Sequence, residues 1–406
     1  MSSMPLEGIR VVDWTAFLNG PTTSMLLGQL GAEVIKVESK DKGDPYRKVM
    51  STRGMKTMSP DGHCILFELA NRNKKGIAID LKKPEGREVI YRLVEKSDVF
   101  VQNFRPGTAQ RLRLDYETLS QYNPRLIYAS SSGFGTKGPY ANKPAMDFSS
   151  LAYSGMMMVS GDPGMPPTTV GYSLGDFAGA FATAYGILAA LVVRERLGIG
   201  QEINASLLSG LMYLQDMAIA YSHFSNAEVT RIGHYNAYNP LWNCYPCKCG
   251  KWIMFAHLQS DVWWPTFCRV VGIESLEHDP RFKDALARGE NHKELIAILD
   301  KVFATKTRQE WFQIFEGEDL IYCPVNTIKD LFQDPQIIAN DYIVEFEHPS
   351  MGKIKFAGCP VRFSKTPAVS IRNKAPERGE HTEEVLTEVG GYSREDIAQL
   401  RDKGVI

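Results

Sequence analysis

Strand-like and helix-like runs alternate through the first third of the chain, and this alternation limits the fold more than any other feature of the sequence. IRVVDW at 9–14 reads as a strand and residues 22–30 as a helix, followed by a strand at 33–37 (EVIKV) and another at 75–81 (KGIAIDL). A helix is expected over 84–95, with Pro84 at its first turn, then strands at 98–102 (DVFVQ) and 126–130 (LIYAS). Strands separated by helices imply a doubly wound, Rossmann-like α/β domain built on a parallel sheet, whose ligands lie beyond the carboxyl ends of the strands. At those ends the sequence places TAFLNGP (15–21), NFRPG (103–107) and SSSGFGTKGP (130–139). Arg105, Arg111, Lys137 and Lys143 lie in or just after these loops, a pattern compatible with a phosphorylated ligand and equally with solvated surface.

A second feature follows at GYSLGDFAGAFATAYGILAAL, residues 171–191. Residues 177–193 carry no charge, yet Gly179, Thr183 and Gly186 interrupt this 17-residue run, which is short against the ~20 residues a bilayer needs. A buried helix is the expectation. One acid, Asp176, stands at its mouth, either as an N-cap or as a reactive group held ionised by the free N–H groups and dipole of the helix start. On spacing alone the cap is the simpler reading.

The rest of the composition narrows the class. With 44% hydrophobic and 23% charged residues, the 406-residue chain can bury a large core in two or three domains. Its 46 basic and 47 acidic residues leave a net charge of -1, which supports neither a nucleic-acid nor a membrane partner. Seven scattered cysteines fit a reducing compartment, and the N-terminus has no signal-peptide pattern, so a cytoplasmic protein is expected. Cys244, Cys247 and Cys249 have the spacing of zinc ligands, but a hairpin turn at 249–251 explains them better, and no metal site is expected. Aromatic residues crowd 235–264, marking a change of character. The expected organisation is a large domain from 1–225, a smaller α+β domain at 226–327, and a segment at 328–406 that completes the large domain. A capped helix at 307–315 and a capping box at Ser393 and Asp396 belong to these later parts.

Several motifs occur together and in order: LEGIRVVD at 6–13 with Gly20 and Pro21, GAEVIKVE at 31–38 with Gly43 and Asp44, and NKK at 73–75 with DLKKPEG at 80–86. NF at 103–104, NPR at 123–125, GFG at 133–135, the Asp176 helix, GIGQ at 198–201 and GEHTEEVL at 379–386 complete the set. In this ordered set the chain resembles the family III CoA transferases of the CaiB/BaiF type along nearly its whole length. The resemblance implies an interlocked homodimer that binds no permanent cofactor and takes a coenzyme A thioester as substrate. It further implies that Asp176 attacks the carbonyl of a donor acyl-CoA to form a mixed anhydride. The freed thiolate then forms an aspartyl-CoA thioester, from which an acceptor carboxylic acid collects CoA. The CoA contacts it implies fall on Leu18, Asn19, Ile79, Lys82, Asn103, Phe104, Arg105, Arg111 and Lys143. Relatives carry a basic residue where this chain has Ser39, with Lys40 next to it.

Two other functions remain open. The 2-methylacyl-CoA racemases are similar but place a histidine where this chain has Met146, before Asp147; the missing acid/base favours transfer over racemisation. The glycine run of the oxalate-handling branch is replaced here by AHLQ at 256–259, and His257 and Gln259 are either acyl contacts or structural residues. The strings at 115–119 and 339–342 are shared with relatives that handle aryl and 2-hydroxyacyl groups. A nucleotide-binding dehydrogenase is the weakest reading, because the first turn lacks GxGxxG.

Overall fold

The structure, a computed structural model, describes residues 4–406. Two compact units emerge from the described residues: one comprises residues 4–156, 169–220 and 341–406, and the other residues 157–168 and 221–340.

In the larger unit β1 (Arg10–Trp14), α1 (Asn19–Gln29) and β2 (Glu33–Ser39) follow one another, then a small hairpin of β3 (Ser51–Thr52) and β4 (Met55–Lys56). Next come α2 (Ile65–Asn71), β5 (Lys74–Ile79), α3 (Pro84–Glu95) and β6 (Val99–Gln102). After α4 (Thr108–Leu112), α5 (Tyr116–Tyr122) and β7 (Ile127–Ser132) lie α6 (Asp147–Tyr153), α7 (Leu174–Leu197), β8 (Gln201–Ser206) and α8 (Leu207–Leu214). The sheet has the order β5-β2-β1-β6-β7-β8 with every pair parallel, so the chain winds outward from β1 in one direction and then from β6 in the other. The crevice at the carboxyl ends of β1 and β6 is therefore the switch point at which such sheets bind ligands.

Strand periodicity explains the two-sided core. Val12, Ile35 and Phe100 point to one face, packed by α3 and by the C-terminal helices Thr382–Glu388 and Arg394–Asp402, whereas Val11, Val34, Val99 and Val101 point to the other. On that second face α7 turns Ile187 and Leu191 toward the sheet. The buried positions Gly179, Thr183, Ile187 and Leu191 recur at the four-residue spacing of one helix face. Among the described residues α7 is the one helix long and apolar enough to cross a bilayer, and it packs against β7, β8 and α1. The start of α1 lies three residues earlier than the sequence suggests. Pro21 occupies its first turn, where no intrahelical N–H is needed.

The smaller unit has a three-stranded antiparallel sheet of Tyr322–Val325, Trp252–Phe255 and Cys244–Pro246. Helices Ser260–Val271, His292–Phe303 and Arg308–Phe315 cover it, and Tyr245, Phe255, Phe267, Phe303 and Trp311 form its core. Part of the aromatic crowd noted in the sequence is thus packing. The capping box at Thr307 and Glu310 and that at Ser393 and Asp396 are both formed.

Candidate active site

Asp176 is the third residue of α7, not its cap. Ser173 occupies the cap position, in a left-handed conformation with φ 53° and no side-chain hydrogen bond. The capping task falls to Asp147 at the start of α6, whose Oδ1 accepts from the N–H of Gly175 (2.7 Å) and of Asp176 (3.1 Å). These donors are consequently unavailable to Asp176. The expectation that the helix start keeps Asp176 ionised therefore needs correcting. Burial, reinforced by the neighbouring negative charge of Asp147, pushes its carboxyl from 3.8 up to about 7. Asp147 Oδ2 is itself buried without a hydrogen-bond partner.

The loop after β1 approaches from the other side. Asn19 is buried, and its Nδ2 donates to the backbone oxygen of Asp176 at 2.9 Å. Gly179 allows this, since a Cβ there would lie 2.5 Å from Asn19 Nδ2. Leu18 is buried immediately before α1. Asn103, after β6, spends its amide on this loop: Oδ1 accepts from Ala16 N (2.9 Å) and Nδ2 donates to Ala16 O (2.8 Å). Gly20 lets the two loops approach closely, because a Cβ at that position would lie within 2.8 Å of both Thr15 and Asn103.

Beneath the loop lies a charge network that the sequence reading missed. Lys36 Nζ pairs with Asp44 Oδ2 (2.9 Å) and donates to Thr15 O (3.0 Å), while Asp44 Oδ1 accepts from Phe17 N (3.2 Å) and Tyr46 N (2.9 Å). Phe17 is thereby held at φ 66°. Lys74 Nζ reaches Asp13 Oδ2 and Pro21 O, both at 2.8 Å, and Thr15 Oγ1 donates to Asp13 Oδ1. Glu38 accepts from Asp44 N and from Arg47. Desolvation opposes ionisation of Asp13 and Lys36, but the opposite charges prevail: Asp13 lies below its usual range and Lys36 above. For Lys74 burial wins, bringing it down to about 8. The available signal was a lysine in the otherwise apolar middle of β2.

A cavity of about 370 Å³ opens at the switch point, lined among others by Trp14, Phe17, Ser39, Ile79, Lys82 and Phe104. Three of the residues named from the sequence, Ile79, Lys82 and Phe104, thus share one pocket. Arg111 lies one turn from the lining residue Thr108 and donates to its Oγ1 at 3.0 Å. Arg105 faces a different cavity with Tyr116, Tyr128 and Asn204. Lys143 borders neither cavity; its Nζ lies over the Tyr140 ring at 3.8 Å. Lys42, not Lys40, joins Ser39 in the lining.

In the smaller unit His257 is fully buried, with Nε2 accepting from Ile321 N at 2.9 Å, and burial lowers its pKa. Gln259 is exposed. Cys244, Cys247 and Cys249 lie along a β-hairpin. Among the described residues no three histidine, cysteine or acidic side chains converge as a metal site.

The larger unit thus joins a six-stranded parallel α/β sheet, with a pocket at its switch point, to a largely desolvated acid in the first turn of α7. Comparison with known proteins makes this specific. Residues 6–382 match CoA-transferase family III, and the chain belongs to that family. It is 34% identical to the succinyl-CoA:glutarate CoA-transferase of Mus musculus, across 100% of this chain and 91% of that one. It is 34% identical to the succinyl-CoA–D-citramalate CoA-transferase of Chloroflexus aurantiacus, covering 99% and 98%. The crystal structure of a CaiB/BaiF family protein from Brucella suis superposes with a TM-score of 0.82 at 29% identity, covering 96% and 100%.

Proposed function

We propose that this enzyme moves CoA from a donor acyl-CoA to an acceptor carboxylic acid through covalent intermediates on Asp176. A carboxylate oxygen of Asp176 attacks the thioester carbonyl, the C–S bond breaks, and the CoA thiolate departs, leaving an acyl-aspartyl anhydride. The thiolate attacks the aspartyl carbonyl and expels the donor carboxylate, giving an aspartyl-CoA thioester. The acceptor carboxylate attacks this thioester, and the thiolate returns to the acceptor acyl carbon and frees Asp176. The observation that carries this reading is the setting of Asp176. It is largely desolvated, has no salt-bridge partner among the described residues, and is held through its backbone by Asn19 and Asp147. A carboxylate stripped of water is a stronger nucleophile, and an anhydride survives only where water is kept out.

CoA is assigned to the switch-point pocket, with Ile79, Phe104 and Leu18 supplying apolar contact and Lys82 and Arg111 meeting phosphate. Asn19 and Asn103 act on the loop's shape. The relatives' names point to acyl-CoA and carboxylate substrates. An interlocked homodimer accords with the exposed apolar side chains of the larger unit, among them Tyr185 (76%) and Tyr213 (83%). Seven unpaired cysteines accord with the cytoplasm. Met146 offers no acid/base group, which leaves racemisation unsupported.

The test is intact-mass analysis after incubation with a panel of acyl-CoAs. The wild type is expected to gain a CoA adduct and Asp176→Ala none. Adduct formation and CoA exchange that both persist in Asp176→Ala would sink the mechanism.

A further inference from the structure

The larger unit holds a second cavity, of about 680 Å³ against about 370 Å³ at the switch point. Its walls come from the turn after β2 with the helical turn Pro45–Lys48, the start of α2, the tight turn joining the strands Ile343–His348 and Gly352–Ala357, and residues 375–378. Asp176, Asp147 and Asn19 are not part of its lining, and Lys42 alone lines both cavities.

The ionised groups of this cavity do not balance. Arg47 is committed to Glu38, at 2.7 and 2.8 Å, and lies over the Phe67 ring at 3.6 Å. Glu377 faces His63 at 3.4 Å and Lys374 at 3.8 Å. Among the described residues Lys42, Lys48 and Arg378 have no carboxylate within ion-pair distance; Arg378 Nη1 donates to a neutral group, Asp41 O, at 3.0 Å. Asp61 is the one lining acid that is likewise unpaired. Three cations against one acid leave two positive charges facing the same space.

Glu68, buried in the lining, does not cancel them. Its two oxygens accept the N–H of Ala375 at 2.9 and 3.0 Å. His348, also buried, accepts from Ser350 N and Met351 N at Nδ1, 3.1 Å each, so its proton sits on Nε2, 3.4 Å from Glu68 Oε2. Desolvation pushes Glu68 up to about 7 against the pull of the Ala375 N–H, which leaves it about half charged near neutral pH. Glu68 and His348 thus satisfy each other and the adjoining backbone, and the three cations stay unclaimed.

A phosphate ester carries about −1.5 to −2 at pH 7 on three acceptor oxygens and so matches this surplus, which a single carboxylate would leave half neutralised. Lysine meets phosphate as a point charge and arginine by paired N–H groups. We propose that this cavity binds the phosphate group of a small metabolite other than the thioester substrate, through Lys42, Lys48 and Arg378. Lys42 also lines the pocket assigned to CoA, so the two ligands draw on one ammonium and weaken each other's binding. The antagonism rests on that assignment of CoA; the phosphate site does not.

Isothermal titration calorimetry with inorganic pyrophosphate as the probe compares wild type with Lys48→Met, Arg378→Met and Lys82→Met. Lys82 lines the switch-point pocket only, and Lys48 is exposed at the end of its helical turn, so Lys48→Met is expected to keep the wild-type thermal unfolding. Lys48→Met and Arg378→Met should weaken pyrophosphate binding tenfold or more, and Lys82→Met should leave it within about twofold. Saturating pyrophosphate should lower the affinity of wild type for CoA threefold or more. Lys48→Met should bind CoA as wild type does and lose this antagonism. No pyrophosphate binding at millimolar concentrations, or binding that Lys82→Met abolishes and Lys48→Met leaves intact, would overturn the proposal. An affinity for CoA indifferent to pyrophosphate would overturn the shared role of Lys42. If CoA does not bind wild type at all, the assignment of CoA to the switch-point pocket fails, while the pyrophosphate titrations still decide the second cavity.

Discussion

Replacing Asp176 by asparagine keeps the shape of the side chain and removes its charge, so it measures what the site spends on holding an acid there. Moving a carboxyl from 3.8 to about 7, at ~1.36 kcal/mol per pH unit, amounts to roughly 4 kcal/mol. Asp176 retains some solvent exposure by surface area, so roughly 2–4 kcal/mol is the working range. The sign follows from proton binding. Between about pH 4 and pH 7 the unfolded chain has released a proton that the folded protein keeps, and wild-type stability therefore falls as pH rises across this window. Above about pH 8 the loss is complete. Urea unfolding of both proteins at fixed concentration, from pH 5 to 8.5, should find Asp176→Asn increasingly more stable than wild type as pH rises, with the gap levelling off near pH 8. A gap that stays constant across the range would mean that Asp176 ionises at its ordinary pH, and the argument from desolvation would be wrong.

Two further tests address its neighbours. Asp147→Asn keeps an oxygen for the N–H groups of Gly175 and Asp176 but removes the charge, so the acidic limb of kcat/KM, expected near pH 7 in wild type, should move to lower pH. Asp147→Ala should in addition lose about 1 kcal/mol of stability, measured by denaturation, through the lost cap. Asp44→Ala strands the Lys36 ammonium in the interior and should cost about 3–5 kcal/mol in urea unfolding. The double replacement Asp44→Leu with Lys36→Met should regain much of that stability without regaining kcat, because the N–H of Phe17 still lacks the acceptor that sets the loop.

Much of the larger unit was legible because each of its elements announces itself locally. Val11, Val34, Val99 and Val101 mark strands by their β-branched character, Pro84 marks a helix start, and Ser393 with Asp396 marks another. The hairpin at Ser51–Thr52 and Met55–Lys56 was not legible, since four residues with no apolar alternation carry no strand signal. The site residues divide in the same way. Asp176 stands out as an acid before an uncharged run. Asn103 could be named from its motif, but its pairing with Ala16, between residues 87 positions apart, could not.

By itself, then, the sequence determined the alternating α/β architecture, the strand ends where loops gather, and Asp176 as the singular acid, because propensity, periodicity and capping act between residues close in the chain. Only the tertiary structure decided that Asp147 caps the Asp176 helix in place of Asp176, that burial together with this second acid raises the Asp176 carboxyl to about 7, and that Lys36, Asp44, Lys74 and Asp13 set the loop beside it. Desolvation and charge pairing depend on which groups meet in space and on how much water remains between them, and the order of residues along the chain does not specify either.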